Sequence, residues 1–142
     1  KHGKKSDVFL CVVGATCGKI NYGTDCAIGR SVAALRPNCH KLNQRFLYYF
    51  MSQKVQHLRS GSKGAAQTVI SKDMINNLLV FLPSLTVQKQ IVSKLDTVVT
   101  EIDSIKDAVT KSKLNYKKTK LAILKKELLE EVTWTRQKQW QN

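Results

Sequence analysis

At 142 residues and 42% hydrophobic content, the chain has the length of one small domain plus an extension, with an ordinary globular composition. No apolar run approaches the ~20 residues of a transmembrane span and no signal-peptide pattern opens the sequence, so a cytoplasmic location is expected. The net charge of +14 favours a polyanionic partner, DNA or RNA; a basic surface that serves only solubility is the plain alternative.

The charge is unevenly spread. Through Thr86 there are twelve Lys and Arg against three Asp; from Val87 onward there are twelve against seven Asp and Glu. In chain order, Lys1–Asp7 is polar and basic and reads as a loop. Val8–Val13 is a continuous apolar run that predicts a strand buried on both faces, in which Cys11 packs as a small apolar residue. Gly14 and Gly18 then bracket a tight turn displaying Thr16, Lys19, Asn21 and Tyr22. Cys26–Leu35 reads as a second extended run in which Arg30 marks an edge, a bulge or a contact position.

Asn43 is a candidate cap for a helix over about Gln44–Leu58, whose buried face is Phe46, Leu47, Phe50, Met51, Val55 and Leu58. Its aromatics read as core, not as a platform for stacking bases. Ser60–Ala66 is a glycine- and serine-rich loop carrying Lys63 at its middle, followed by Gln67. Ser71 is positioned to cap a short helix with Asp73 in its first turn, ending at Asn76 and Asn77. Leu78–Leu82 then reads as another buried strand.

Pro83 is a hinge. It breaks regular structure, and Ser84 or Thr86 can cap the helix that follows. From there a glycine-free, proline-free stretch continues, with Ile91, Leu95, Val98, Ile102, Ile105 and Val109 spaced 4, 3, 4, 3 and 4 residues apart. This is a coiled-coil seam. Ser112 and Thr119 interrupt it, and Leu114, Leu121, Leu124 and Leu128 form a displaced stripe, so a kink, a turn or a change of partner is expected near 110–116. A lone helix cannot bury such a seam. A second copy of the chain, a second helix, or a hairpin folding 114–128 back onto 91–109 would supply the cover. The expected organisation is a recognition domain at 1–86, a helical spacer at 87–131 and a tail at 132–142 containing Trp134 and Trp140.

Little in the sequence points to catalysis. The Gly14–Lys19 segment has three residues between its glycines, where a phosphate-binding loop has four, and Ile20 replaces the hydroxyl residue that would hold a metal. The four cysteines, at 11, 17, 26 and 39, contain no Cys-x-x-Cys pair, so neither a zinc site nor a disulfide framework is expected. Asp7, Asp25 and Asp73 are too sparse for a metal-dependent nuclease, and the histidines at 2, 40 and 57 are scattered. No catalytic residue, metal or cofactor is assigned.

Several segments carry a family resemblance. Gly14-Ala-Thr-Cys-Gly-Lys19 after a hydrophobic strand, Arg36-Pro37, Asn43–Phe50, Gln67–Ser71 and the Pro83 turn leading to Gln88, Lys89, Ile91 and Val92 occur in an order that resembles the specificity subunit of type I restriction-modification enzymes. Val87 stands where that family usually has Glu. The resemblance implies an α+β fold: a small mixed α/β recognition domain, incomplete at its N-terminus, followed by a long coiled-coil helix. It implies a non-catalytic chain that reads half of a split site on double-stranded DNA and docks methyltransferase subunits. On the residues, Thr16, Lys19, Asn21, Tyr22, Arg30, Lys63 and Gln67 are the candidate DNA contacts. The alternatives are a helical assembly module without autonomous sequence-specific binding, and a general nucleic-acid binder acting through charge alone.

Overall fold

The computed structural model describes residues 1–61 and 68–139, with side chains described for 1–60 and 68–129. Lys1–Leu95 forms one compact unit and Asp96–Asn142 a second. The first unit contains five short strands, β1 (His2–Gly3), β2 (Val8–Cys11), β3 (Ile20–Tyr22), β4 (Cys26–Ala27) and β5 (Val32–Leu35), then helices α1 (Gln44–Gly61) and α2 (Lys72–Asn76). It also takes in the beginning of α3 (Leu85–Gln139). The fold class is α+β, as expected.

β2 is the centre of a three-stranded antiparallel sheet ordered β3-β2-β5, while β1 and β4 pair separately. Val8 lies opposite Tyr22 and Leu35, and Leu10 opposite Ile20 and Ala33. Because side chains alternate along a strand, Val8 and Leu10 share one face, and both are fully buried. α1 covers that face. Leu47, Met51, Val55 and Leu58, at helical spacing, join Val8, Leu10, Cys17 and Ile70 in the core. Burying each of the larger aliphatic side chains stabilises the unit by roughly 1.5–3 kcal/mol.

The caps read from sequence are in place. Asn43 Oδ1 accepts from the N–H groups of Arg45 and Phe46, at 2.9 and 3.2 Å, and Ser71 Oγ accepts from Met74 N–H at 3.1 Å. Ser84, rather than Thr86, caps α3: its Oγ faces Val87 N–H at 3.4 Å and its carbonyl accepts from Gln88 N–H at 2.9 Å.

Other expectations are corrected. The first apolar run is half-buried on its second face, where Phe9 and Cys11 lie, and it leaves the ladder after Cys11; Val13 makes an isolated bridge to Val69. Cys17, in the glycine turn, is the thiol that joins the core. The Cys26–Leu35 run is two strands in two different sheets. A turn at Gly29–Ser31 separates them, closed by Val32 N–H donating to Gly29 C=O at 3.2 Å. Leu78–Leu82 forms no strand. Leu78 and Val80 turn toward Leu35, Leu47 and Met51, whereas Leu79 and Phe81 are 93% and 85% exposed. No neighbouring strand among the described residues pairs with this segment.

α3 is a single helix through the stretch where a kink or turn was expected, which rules out the hairpin. The change in apolar stripe is therefore a change of face on one uninterrupted helix. Within the first unit, Val92 is buried, and Ile91 and Leu95 line a groove with Phe46, Tyr49 and Phe50 of α1. In the second unit Val98, Ile102, Ile105 and Val109 are between 45% and 63% exposed, as are Leu114, Leu121, Leu124 and Leu128 to a similar degree. Trp134, Trp140 and Lys63 lie outside the residues whose side chains are described.

The start of α3 is fixed by a polar residue. Gln88 is fully buried; its Oε1 accepts from Asn43 N–H at 2.8 Å, and its Nε2 donates to the carbonyls of Lys41 and Pro83 at 2.9 and 2.8 Å. No other neutral side chain of this length offers one acceptor and two donors from a single amide. Gln88→Ala is expected to destabilise the first unit by about 2–4 kcal/mol, since it strands three part-buried main-chain groups and leaves a cavity where Gln88 is fully buried. Gln88→Glu is expected to cost more, because a carboxylate cannot donate to two carbonyls. Urea unfolding followed by circular dichroism measures both.

Candidate nucleic-acid interface

The antiparallel register gathers several of the sequence-derived candidates at one end of the three-stranded sheet. The β2–β3 connection leaves β2 at Cys11, which lies opposite Val32, the first residue of β5. The turn carrying Thr16 and Lys19 and the turn carrying Arg30 therefore share that end. They are joined through the main chain: Val12 N–H donates to Ser31 C=O at 2.8 Å, and Ile70 N–H donates to Val12 C=O at 2.9 Å. The segment that follows Gln67 thus reaches the same end through Val69 and Ile70. Gln67 itself, like Lys63, lies outside the described residues.

The shape of the first turn comes from its glycines. Gly14 and Gly18 have φ of 87° and 90°, in the left-handed region that other residues rarely enter. Cys17 N–H donates to Gly14 C=O, Gly18 N–H to Cys11 C=O and Lys19 N–H to Thr16 C=O, at 2.7–3.0 Å. A Cβ on Gly18 would stand 2.7 Å from Val55 Cγ1, so the turn also lies tight against α1. Cys17 is thereby drawn into the core, while Thr16 and Lys19 are left exposed. A rigid turn that presents a hydroxyl and an ammonium to solvent suits contact with a phosphodiester backbone or a base edge.

Asn21 and Tyr22 are placed differently. Both lie on β3, running away from the turn, and Tyr22 pairs with Val8 at the far end of β2. The Asn21 side chain accepts from Tyr22 N–H at 2.9 Å. The Tyr22 ring stacks on Tyr48 of α1, with centroids 4.4 Å apart and planes 18° apart, and the Arg45 guanidinium lies 5.9 Å from its centroid. These contacts tie β3 to α1, so Tyr22 serves packing at a distance from the shared sheet end. Arg30 sits at the exposed tip of its turn, beside Gly29, around whose Cα a Cβ would find open space.

The sequence does not announce the ion pair at the opposite end of the sheet, where Val8 lies beside Leu35. Asp7 is fully buried, and Arg36 grips it with a two-pronged fork: Nε to Oδ1 at 2.7 Å and a terminal Nη to Oδ2 at 2.8 Å. Lys4 N–H adds a third hydrogen bond to Oδ2 at 2.9 Å. The hydrogen bonds from Arg36 hold the Asp7 carboxyl below its ordinary value of 3.8, against the opposing effect of burial. Asp7 C=O in turn accepts from Gly23 N–H and from Gln44 Nε2, each at 2.7 Å. The only hint in the sequence is that Asp7 is one of three carboxylates among twelve cations. Among the described residues no cluster of three or more His, Cys, Asp or Glu could hold a metal, and all four cysteines are free. No described helix is long and apolar enough to cross a membrane.

The class these elements define is an α+β domain with glycine-shaped, basic turns gathered at one sheet end, continuing into a long capped helix. The chain belongs to the family of type I restriction modification DNA specificity domains, which its residues 4–115 match. It is 27% identical over 134 residues to the type I restriction enzyme EcoBI specificity subunit of Escherichia coli, covering 92% of this chain and 28% of that protein. Two solved structures are similar at 30% identity. One describes complex assembly and conformational transition of the type I R-M system, with a TM-score of 0.75 over 89% of this chain and 31% of the other. The second is the HsdS subunit from Thermoanaerobacter tengcongensis, with a TM-score of 0.64 over 76% of this chain and 25% of the other. The chain spans about a third or less of the length of each.

The Asp7 clamp has a pH signature. A carboxyl whose pKa is lowered on folding contributes stability that is fully present above its unfolded value and is lost as pH falls through the folded one. Stability is therefore expected to drop as pH decreases below about 3.8. Asp7→Asn should lower stability at neutral pH and flatten that acid limb. Denaturant midpoints measured at a series of pH values test both effects.

Proposed function

We propose that this chain is a non-catalytic DNA-recognition element of a type I restriction-modification system, reading half of a split site while its helix docks methyltransferase subunits in the cytoplasm. The observation that carries this reading is the gathering of exposed Thr16, Lys19 and Arg30 at one sheet end in a member of a DNA specificity family. The +9 balance of the residues through Thr86 supports it, since each phosphate neutralised by Lys or Arg releases counterions. Lys63 and Gln67 are assigned to the same interface from their sequence position; Asn21 and Tyr22, on β3 leading away from that end, are left outside it. In this reading arginine and glutamine supply base contacts where they reach an edge, and lysine holds phosphate.

The test is titration of duplex DNA at several salt concentrations. If six phosphates are neutralised, affinity falls roughly a thousandfold between ~50 and ~200 mM salt. Absence of binding at the low-salt end, together with capture of a methyltransferase partner, would leave the helical assembly module as the function. Salt-sensitive binding that ranks all duplexes alike would reduce the chain to a general nucleic-acid binder.

The helix is assigned to association, with a second copy of the chain as partner. Its seam from Ile91 to Val109 leaves large apolar side chains exposed, and covering them favours pairing. Charge favours an antiparallel arrangement. Residues 96–110 carry four carboxylates and one lysine, whereas 111–126 carry seven lysines and no carboxylate. Antiparallel pairing sets the acidic stretch of one copy against the basic stretch of the other. Sedimentation equilibrium is expected to detect a dimer at micromolar concentration that Ile102→Lys dissociates without unfolding the first unit. A monomer at high micromolar concentration would assign the seam to a different partner helix.

A further inference from the structure

A concavity of ≈ 630 Å³ opens beside Arg30, between β5 and α2. Its floor is apolar, formed in part by Val12, Val32, Ile70 and Ile75, and every formally charged residue that lines it is cationic: Lys1, Arg30, Arg36 and Lys72. Among the described residues no carboxylate lines it. Asp73, next to Lys72, is not part of the lining, and Asp7 is buried under the Arg36 fork. Arg30 and Lys72 are exposed, and no ion pair involves either of them among the described residues. Val12 and Ile70, which join the sheet end to this segment by a main-chain hydrogen bond, form part of the floor. The concavity is thus the continuation of the surface that presents Thr16 and Lys19.

We propose that this concavity seats the phosphodiester backbone of one DNA strand, with Arg30 and Lys72 holding successive phosphates across its rim. The inference rests on the DNA-reading function above and gives two residues a defined role within it. A basic surface that serves solubility has its cations interspersed with carboxylates on a polar ground. Here the exposed cations Arg30 and Lys72 flank an apolar floor, and a nucleic-acid strand matches both parts: anionic oxygens along its edge and carbon-rich sugar faces between them. The role is positioning. Arg30 stands on the rim of an open turn, and contacts to phosphate fix register without reading sequence. Lys72 carries no signal in the sequence beyond its place after the Ser71 cap.

The experiment uses the full chain and a panel of mixed-sequence duplexes, with affinity followed by fluorescence anisotropy across a salt series. The slope of log affinity against log salt is expected to become shallower by about 0.9 for Arg30→Ala and for Lys72→Ala, and by about 1.8 for the double variant. The loss should be uniform across the panel. Lys41→Ala, which removes an exposed charge from the same unit outside the concavity, should keep the wild-type slope. Circular dichroism confirms folding of each variant, all three side chains being exposed. Wild-type binding with an unchanged slope in the double variant overturns the concavity and leaves the DNA-reading function standing. A reordering of duplexes by Arg30→Ala overturns the backbone role in favour of base contact. Absence of wild-type binding at low salt overturns both the concavity and the function on which it rests.

Discussion

The carboxamide of Gln88 lies out of solvent, engaged at once with the main chain before α1, the main chain at Lys41 and the carbonyl of Pro83. A buried amide is costly unless all its groups are satisfied, and this one is. The consequence reaches beyond three hydrogen bonds. Asn43, whose N–H Gln88 accepts, is the cap of α1, and α1 is the lid of the sheet. The same contact sets where α3 begins, with Val92 one turn further along in the buried face. Helix, cap and sheet cover are therefore positioned by a single side chain, and a change there is felt by all of them.

Electrostatics divides the first unit into a fixed part and a displayed part. Arg36 is committed to Asp7, and the geometry is the two-pronged kind that favours arginine over lysine. That pair, together with Gln44 bonding the carbonyls of Lys5 and Asp7, holds the 4–7 loop against the beginning of α1 and the end of β5. Lys19, Arg30 and Lys72 are left outward and exposed. Placing a rare carboxylate inside and leaving the cations outside concentrates positive potential at the surface.

Local signals in the sequence carry much of the first unit. Asn43 and Ser71 cap where their side chains predict, the 3.6-residue spacing of Leu47, Met51, Val55 and Leu58 gives α1 its buried face, and paired glycines mark the turn at 14–18. What was not legible depends on partners distant in sequence. Gln88 bonds to Asn43, and Arg36 to Asp7, across 45 and 29 residues, and nothing near either residue announces the match. The apolar run at Cys26–Leu35 concealed a turn because Gly29 is a single small residue between two strand-like halves. Leu78–Leu82 has the composition of a buried strand, but burial requires a neighbour, which composition does not specify. In α3 the shift of stripe after Val109 resembles a break only when the helix is expected to keep one partner along one face.

The Leu78–Leu82 segment has a consequence for how the protein behaves in concentrated solution. A run that pairs with no strand among the described residues and exposes large apolar side chains, here Leu79 and Phe81, is the kind of segment that nucleates intermolecular β-pairing. The residues on either side oppose this. Asn76 and Asn77 end α2 immediately before the run, and Pro83 follows it with no N–H to donate to a growing ladder. Gatekeepers of this kind shorten the window open to pairing without burying it. Pro83 therefore has two duties: it launches α3 and it keeps the apolar segment beside it from recruiting copies of itself.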